Sequence, residues 1–247
     1  MIYEVKAAIT TLGKEGPMSL LRKISAYCSQ LWNGLKFLTQ SRPTLSAPED
    51  NLDFADSTCN GLISPSQVRE EILGLLNLLA KKTPKTVLEI GTANGGTLFL
   101  FASVAARDAR IISIDLPNGI HGGGYAWWRT LIYRKFAREN QSVHLIRDDS
   151  RAAGTIDQLK QLVVGRGLDL LFIDGDHTYF GVKQDFINYS PLVNKGGAIV
   201  FHDVCRHREG MQCEVDVFWE EIKKEHRYVE FIKDPSQGWG GIGVLLV

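Results

Sequence analysis

The sequence predicts an α/β fold: a doubly wound, mostly parallel seven-stranded sheet with an antiparallel strand at its C-terminal end and a helical appendage at its N-terminus. Three observations carry that expectation. Five short apolar runs, Thr86–Ile90, Ile111–Ile114, Val143–Ile146, Leu168–Ile173 and Ala198–Phe201, are bounded by Gly, Asp or Pro, and each is followed by a helix-compatible stretch. Runs so uniformly apolar suit parallel strands covered on both faces, and right-handed crossovers then leave a crevice at the strands' carboxyl ends. The alternation breaks after a helix at about Glu214–His226. There Tyr228–Ile232 and Ile242–Val247 flank the turn-rich Asp234-Pro235-Ser236-Gln237-Gly238, the pattern of a hairpin.

Taken in order, the chain divides into an appendage and linker over residues 1–60 and a single domain over 61–247. A helix is expected around Ser19–Leu38, where Leu20, Leu21, Ile24, Tyr27, Leu31, Leu35 and Leu38 recur at helical spacing. Its apolar face needs cover from its own domain, from an active site or from a second subunit, which makes a homodimer one expectation. The Ser/Pro/Asp-rich stretch from Thr39 to Thr58 reads as a linker. Ser64-Pro65-Ser66-Gln67 then has the form of a capping box with proline at the first helical position. The helix it opens carries Val68, Ile72, Leu75, Leu76 and Leu79 on one face and ends at Thr83-Pro84.

Composition excludes several classes. The formal charge is zero, so no basic field marks the surface for phosphate backbones, and a small molecule fits better than a nucleic acid. No stretch approaches the roughly eighteen uncharged apolar residues of a membrane span. Lys14, Glu15, Arg22 and Lys23 interrupt the first thirty residues, unlike a signal peptide, so the expected compartment is the cytoplasm. Cys28, Cys59, Cys205 and Cys213 show none of the CxxC spacing of zinc sites or redox pairs and read as free buried thiols.

The chemistry concentrates where strands end. Val87-Leu88-Glu89-Ile90-Gly91 runs into Thr92-Ala93-Asn94-Gly95-Gly96-Thr97 before a helix begins. Glycines let this backbone turn sharply and approach a ligand, while free N–H groups of the new helix face the same crevice. Ala93 stands where a G-x-G-x-x-G fingerprint has its second glycine, which weighs against a nicotinamide-dependent oxidoreductase. Asp115 ends the next strand, about twenty residues on, where a carboxylate can accept from both ribose hydroxyls; a loop-forming Asp is the alternative. After the third strand, Asp149 and Ser150 stand near where an adenine amino group would lie, although Ser150 could equally cap the helix from Arg151.

In this order, Glu89-Ile90-Gly91-x-x-x-Gly95, Asp115, Asp149-Ser150 and Phe172-Ile173-Asp174 resemble the class I S-adenosylmethionine-dependent methyltransferases over about residues 64–247. Ile173-Asp174-Gly175-Asp176-His177-Thr178-Tyr179 with Val200-Phe201-His202-Asp203-Val204 is further similar to metal-dependent small-molecule O-methyltransferases of the catechol, caffeoyl-CoA and macrolide or sugar types. The resemblance implies a Rossmann-like transferase that moves a methyl group to a hydroxyl of a sugar, phenol or polyketide. It implies that Glu89, Gly91, Thr92 and Gly95 shape the methionine pocket, that Asp115 holds the ribose, that Asp149 and Ser150 border the adenine, and that Asp174 lies beside the cofactor.

It also implies a divalent metal, magnesium or manganese, on Asp174 and Asp203. Two carboxylates at the carboxyl edge of adjacent strands independently suit magnesium, and such an ion would lower the pKa of the acceptor hydroxyl. One departure stands out. His202 precedes Asp203 where the family has Asn or a second carboxylate beside the Asp, and imidazole is a poor magnesium ligand, so His202 reads as a base or as a group behind the ligands. His177, three residues past Asp174, could take the acceptor's proton or serve only as a capping or surface residue. The Gly-rich 117–124 segment with Tyr125, Trp127 and Trp128, and Gly238-Trp239-Gly240-Gly241, are candidates for a lid or for core filling. A binding module that kept the cofactor pocket but lost turnover is the remaining alternative; it would bind S-adenosylmethionine and methylate nothing.

Overall fold

In the computed structural model, which describes residues 17–43, 45–117, 124–208 and 210–247, the apolar runs become β1 (Thr86–Ile90), β2 (Arg110–Ile114), β3 (Ser142–Ile146), β4 (Leu168–Ile173) and β5 (Val193–His202), and the terminal hairpin is β6 (Arg227–Phe231) and β7 (Ile242–Leu246). They form one sheet of order β3-β2-β1-β4-β5-β7-β6. The pairings among β1 to β5 are parallel, and β7 runs antiparallel between β5 and β6. Composition explains which hairpin strand goes inside: Ile242-Gly243-Val244-Leu245-Leu246 is buried over its first four residues, whereas Arg227-Tyr228-Val229 at the edge is exposed. β5 is longer than its apolar part because Val193–Gly197 extends it past an irregularity in the pairing at Leu168–Leu170.

Alternate residues of each strand feed two cores. Val87, Phe172, Val200 and Val244 face a cluster with Ile72, Leu75, Phe99, Phe101 and Phe136, while Leu88, Ile90, Leu171 and Phe201 face a second with Leu159, Val182, Phe218 and Trp219. The first cluster is capped by α1 (Pro17–Thr39), α2 (Pro48–Ser57), α3 (Arg69–Lys82), α4 (Gly96–Val104) and α5 (Arg129–Arg134). The second is capped by α6 (Ala153–Val163), α7 (Tyr179–Tyr189) and α8 (Val215–Ile222).

Three local expectations change. The stretch expected to be a linker contains α2, with Leu52 and Ala55 buried and Phe54 5.6 Å from the Phe99 ring. Pro48 at its start and Glu49 and Asp50 in the first turn explain the helix, since proline suits that position and acids favour the positive end of the dipole. The capping box does not form. Ser64 Oγ donates to Asp56 Oδ1 at 2.7 Å and Gln67 Nε2 donates to Asp174 Oδ2 at 2.9 Å, so α3 starts at Arg69. Finally, only the C-terminal turns of α1 dock, where Gly34 lets the helix approach Trp128 so closely that a Cβ would lie 2.8 Å from the ring. Leu21, Ile24, Tyr27 and Leu35 remain exposed. Residues 118–123 of the Gly-rich segment lie outside the described residues.

If α2 belongs to the core, Leu52→Ala should lower the unfolding free energy by about 2–5 kcal/mol in chemical denaturation, the range for a buried leucine. A change below about 0.5 kcal/mol, typical of surface sites, would mark the helix as peripheral.

Candidate active site

Strand order reverses between β1 and β4, and Ile90 is in register with both Ile114 and Ile173, so the residues following these three strands open at one level. There Gly91 takes φ +87°, and an added Cβ would lie 1.9 Å from the Asp174 carbonyl oxygen; only glycine fits. Ala93 also adopts a left-handed conformation, φ +44°. What secures it without a glycine is Asp115, whose Oδ2 accepts from Thr92 N at 2.8 Å and Ala93 N at 2.7 Å, while Tyr133 donates to the Ala93 carbonyl at 2.6 Å. Burial raises the Asp115 carboxyl above its ordinary value, against the opposing pull of those N–H groups.

The turn encloses a cavity of about 580 Å³. Gly91, Thr92, Asp115, Asp149, Ser150, Asp174, His177, His202 and Asp203 all border it, so nine of the residues singled out from sequence converge. Two do not border it. Gly95 opens α4 at φ +81° and packs on Tyr133, shaping the pocket only through the start of the helix. Glu89 lies fully buried, with only the hydroxyls of Thr97 and Thr92 as nearby donors, neither of them in good hydrogen-bond geometry. Burial pushes its pKa up to about 8, only partly opposed by the hydroxyls of Thr97 and Thr92.

On the wall formed after β3, Asp149 Oδ1 accepts from Arg151 N at 2.9 Å and Arg151 Nε at 3.2 Å, and Arg151 Nη1 continues to Asp176 Oδ2 at 3.1 Å. Ser150 is not a helix cap, because the cap position of α6 falls to Ala152. Its hydroxyl instead donates to Asp185 Oδ1 at 2.6 Å, and its carbonyl accepts from Tyr189. Asp185 sits behind this wall with Oδ2 unpartnered among the described residues, and burial raises its pKa to about 7.

At the opposite end, acids and imidazoles interleave. His202 Nδ1 lies 3.1 Å from Asp174 Oδ1 and 3.4 Å from Asp203 Oδ2. His177 Nε2 lies 3.5 Å from Asp174 Oδ1, and its Nδ1 lies 3.4 Å from Asp203 Oδ2. Burial alone would lower both imidazoles. Contact with Asp174, reinforced at His177 by the Cys213 side chain and by Asp203, overrides it and raises His177 to about 11 and His202 to about 10. Burial likewise opposes ionisation of Asp174 and Asp203, but the histidines hold both below the usual carboxylate range. Asp203 itself adopts φ +64°, an uncommon conformation for a non-glycine residue, and is secured by Gly240 N, which donates to its Oδ1 at 3.1 Å.

Sequence reasoning missed four residues here. Gln67 was assigned to a helix cap. His207, whose Nε2 is 3.3 Å from Asp203 Oδ1 and whose Nδ1 is 2.9 Å from the Cys205 carbonyl, is signalled only by its spacing four after Asp203. Cys213 had no second cysteine nearby in sequence. Glu71 is buried under the loop preceding β7 and accepts from Lys233 N at 3.0 Å, Gln237 Nε2 at 2.8 Å and Gly241 N at 2.8 Å. It thereby secures the loop that puts half-exposed Trp239 on the cavity rim. Of the other aromatics, Tyr125 and Trp128 are core, and Trp127 is exposed and does not border the cavity.

Residues 88–204 match the family described as a methyltransferase domain. An uncharacterized protein of Acanthamoeba polyphaga mimivirus is 37% identical over 128 residues, covering 52% of this chain and 55% of that protein. The chain thus spans about half the length of this curated relative. Among solved structures, an O-methyltransferase from Bacillus cereus in complex with SAH superimposes with a TM-score of 0.55 at 19% identity, over 83% of this chain and 92% of that one. The O-methyltransferase TomG from Streptomyces achromogenes, in complex with SAM, gives 0.54 at 17% identity, over 87% and 95%. At these identities the likeness establishes a shared fold.

Two predictions follow from the buried carboxylates. Asp185 binds its proton more tightly folded (about 7) than at its ordinary value of 3.8. Its contribution is therefore complete below about pH 4 and is lost as pH rises to about 7. Asp185→Asn keeps an acceptor for Ser150 and removes that loss: its melting temperature should exceed the parent's at pH 8 and match it near pH 4, and equal values at both would contradict the assignment. Glu71→Ala leaves three donors unsatisfied, which should increase proteolytic cleavage within residues 232–241 while barely altering cleavage elsewhere.

Proposed function

With a methyltransferase domain at residues 88–204 on the fold of the O-methyltransferases above, we propose that this protein is an S-adenosylmethionine-dependent O-methyltransferase acting on a hydroxyl of a small molecule such as a sugar, phenol or polyketide. The observation that carries the reading is the convergence of the Gly91 turn, Asp115 and the Asp174–His177–His202–Asp203 cluster on one cavity. Four unpaired cysteines fit a reducing compartment, the cytoplasm, and no described helix is long and apolar enough to cross a membrane.

Bound S-adenosylmethionine supplies a methyl group already activated on a cationic sulfur. The residues that would hold it are Gly91 and Thr92 at the methionine end, with Gly95 and Glu89 beneath, Asp115 at the ribose, Asp149 and Ser150 beside the adenine, and Asp174 between cofactor and acceptor. Glu89 suits a cation: a buried carboxylate with no charged partner is stabilised as its charged form when positive charge arrives nearby. The protein's remaining task is to align a deprotonated acceptor oxygen and exclude water. His177, the most exposed of the three imidazoles bordering the cavity, and His202 behind it are the groups proposed to accept the acceptor's proton. Because Asp174 and Asp203 hold both imidazoles protonated near neutral pH, each would do so only after losing its own proton, at alkaline pH or once a cation occupies those carboxylates. Those two carboxylates, which end adjacent strands, would also hold a divalent ion, whose chemistry is to lower the pKa of a hydroxyl oxygen.

Calorimetric titration with S-adenosylmethionine tests the reading, and absence of binding with and without divalent metal would remove it. Because Glu89 is largely protonated in the free protein below its pKa of about 8, seating the cation should expel that proton. Affinity should then rise with pH, by at most about tenfold per unit, and level off above about pH 8. Glu89→Gln should flatten that component of the slope; an identical slope in the variant would separate Glu89 from the cofactor.

A further inference from the structure

The donor set at the acid–imidazole end is mixed. Magnesium takes oxygen from one or two carboxylates and keeps several waters, and one oxygen of each carboxylate is already engaged here: Asp174 Oδ2 by the Gln67 amide, and Asp203 Oδ1 by Gly240 N with His207 beside it. The atoms that complete the neighbourhood are nitrogen and sulfur. His177, Asp203 and Cys213 have one ligand atom each within 4.8 Å of one another, and all three border the cavity.

The geometry points to a thiolate-containing site for a borderline-soft divalent ion, zinc by chemical class, built from His177, Asp203 and Cys213. Imidazole, carboxylate and thiolate together select zinc or a similar transition ion over magnesium. Three protein ligands is the number used by catalytic zinc centres, whereas closed structural centres use four. Two of the three ligands have a partner of the kind that sets ligand orientation in metal sites, Asp174 Oδ1 at 3.5 Å from His177 Nε2 and His207 beside Asp203. His207 reaches Asp203 from one side while its other ring nitrogen faces the Cys205 carbonyl. Glu214 N donates to the His177 carbonyl at 2.8 Å, and Tyr179 N donates to Glu214 Oε2 at 2.9 Å, so the segment bearing Cys213 is tied to the segment bearing His177. A His177 engaged as a ligand is not also available to accept the acceptor's proton.

The site does not depend on the methyl-transfer reading, and its test is independent of turnover. Full-length protein carrying no polyhistidine tag is stripped with chelator, dialysed against zinc, magnesium or cobalt chloride, and assayed for bound metal by elemental analysis. The expected result is about one zinc per chain that excess magnesium does not displace. The cobalt form should show a thiolate-to-metal charge-transfer band in the near ultraviolet. Cys213→Ser should abolish that band and weaken zinc binding at least about tenfold, with an unchanged circular dichroism spectrum confirming the fold, while Cys28→Ser, at an exposed thiol, should change neither. Failure to retain zinc, displacement of zinc by magnesium, or a cobalt band that survives in Cys213→Ser would overturn the proposal. Titration of the metal-free protein with S-adenosylmethionine reports separately on the cofactor pocket, so loss of one reading is distinguishable from loss of the other.

Discussion

Because the chain leaves β1 toward β2 and β3 on one side and resumes with β4 on the other, the connections diverge and leave the space between the carboxyl ends of β1 and β4 uncovered. Every group in the cavity owes its place to that divergence. Gly91 must turn within contact distance of the Asp174 carbonyl, which brings the first and fourth strand ends together with no side chain between them. Asp115 then replaces what a second glycine would have supplied: by accepting from Thr92 N and Ala93 N it stabilises a left-handed alanine. The carboxylate that organises the turn is thus the same one proposed to hold a ribose.

Burial is the largest single influence on Glu89, Asp185, Asp174 and Asp203, and in all four it disfavours charge. The outcome nevertheless splits. Glu89 has no cation acting on it and Asp185 only Arg151, which offsets burial in part, so both are pushed up, whereas Asp174 and Asp203 are flanked by imidazoles and are held down. Neutral-leaning carboxyls thus stand behind the cavity, Glu89 beneath the turn and Asp185 behind Ser150, and ionised carboxylates border its far end. The first kind is available to stabilise an incoming positive charge and the second is already engaged with positive groups, so the two ends of one pocket suit different ligands.

The sequence made the sheet legible because parallel strands buried on both faces are apolar without interruption, and β1 and β4 begin and end where their runs do. The strand-end acids were legible for the same reason: a charged residue directly after such a run can only stand at the sheet's edge. Local signals were less secure. Ser64-Pro65-Ser66-Gln67 satisfies the pattern of a cap, but Gln67 finds a buried carboxylate more than a hundred residues away in sequence, and no local rule weighs that competition. The Ser/Pro/Asp composition of residues 39–58 hid a helix because few of its residues, the buried Asn51, Leu52 and Ala55 with half-buried Phe54, face the core. Cys213 and His207 were invisible as partners because the loop that carries them closes on the site only in three dimensions.

That loop and the one preceding β7 meet at Asp203. Its Oδ1 takes Gly240 N from the second loop and faces His207 from the first, and Cys205 N donates to the Gly240 carbonyl. Antiparallel insertion of β7 beside β5 makes the meeting obligatory, since His202 pairs with Ile242 and the chain just before that strand must cross the mouth of the cavity. Glu71, reaching up from α3, then secures the crossing segment from below. An acid in a left-handed conformation, two loops and a buried glutamate therefore form one mechanical unit around Met211 and Trp239 on the rim. Fold similarity at below 20% identity cannot transmit such a unit, because it depends on particular side chains and not on strand order. On the proposed reading, selection of the acceptor would belong to these loops, while the turn after β1 and the acid after β2 would hold the nucleoside.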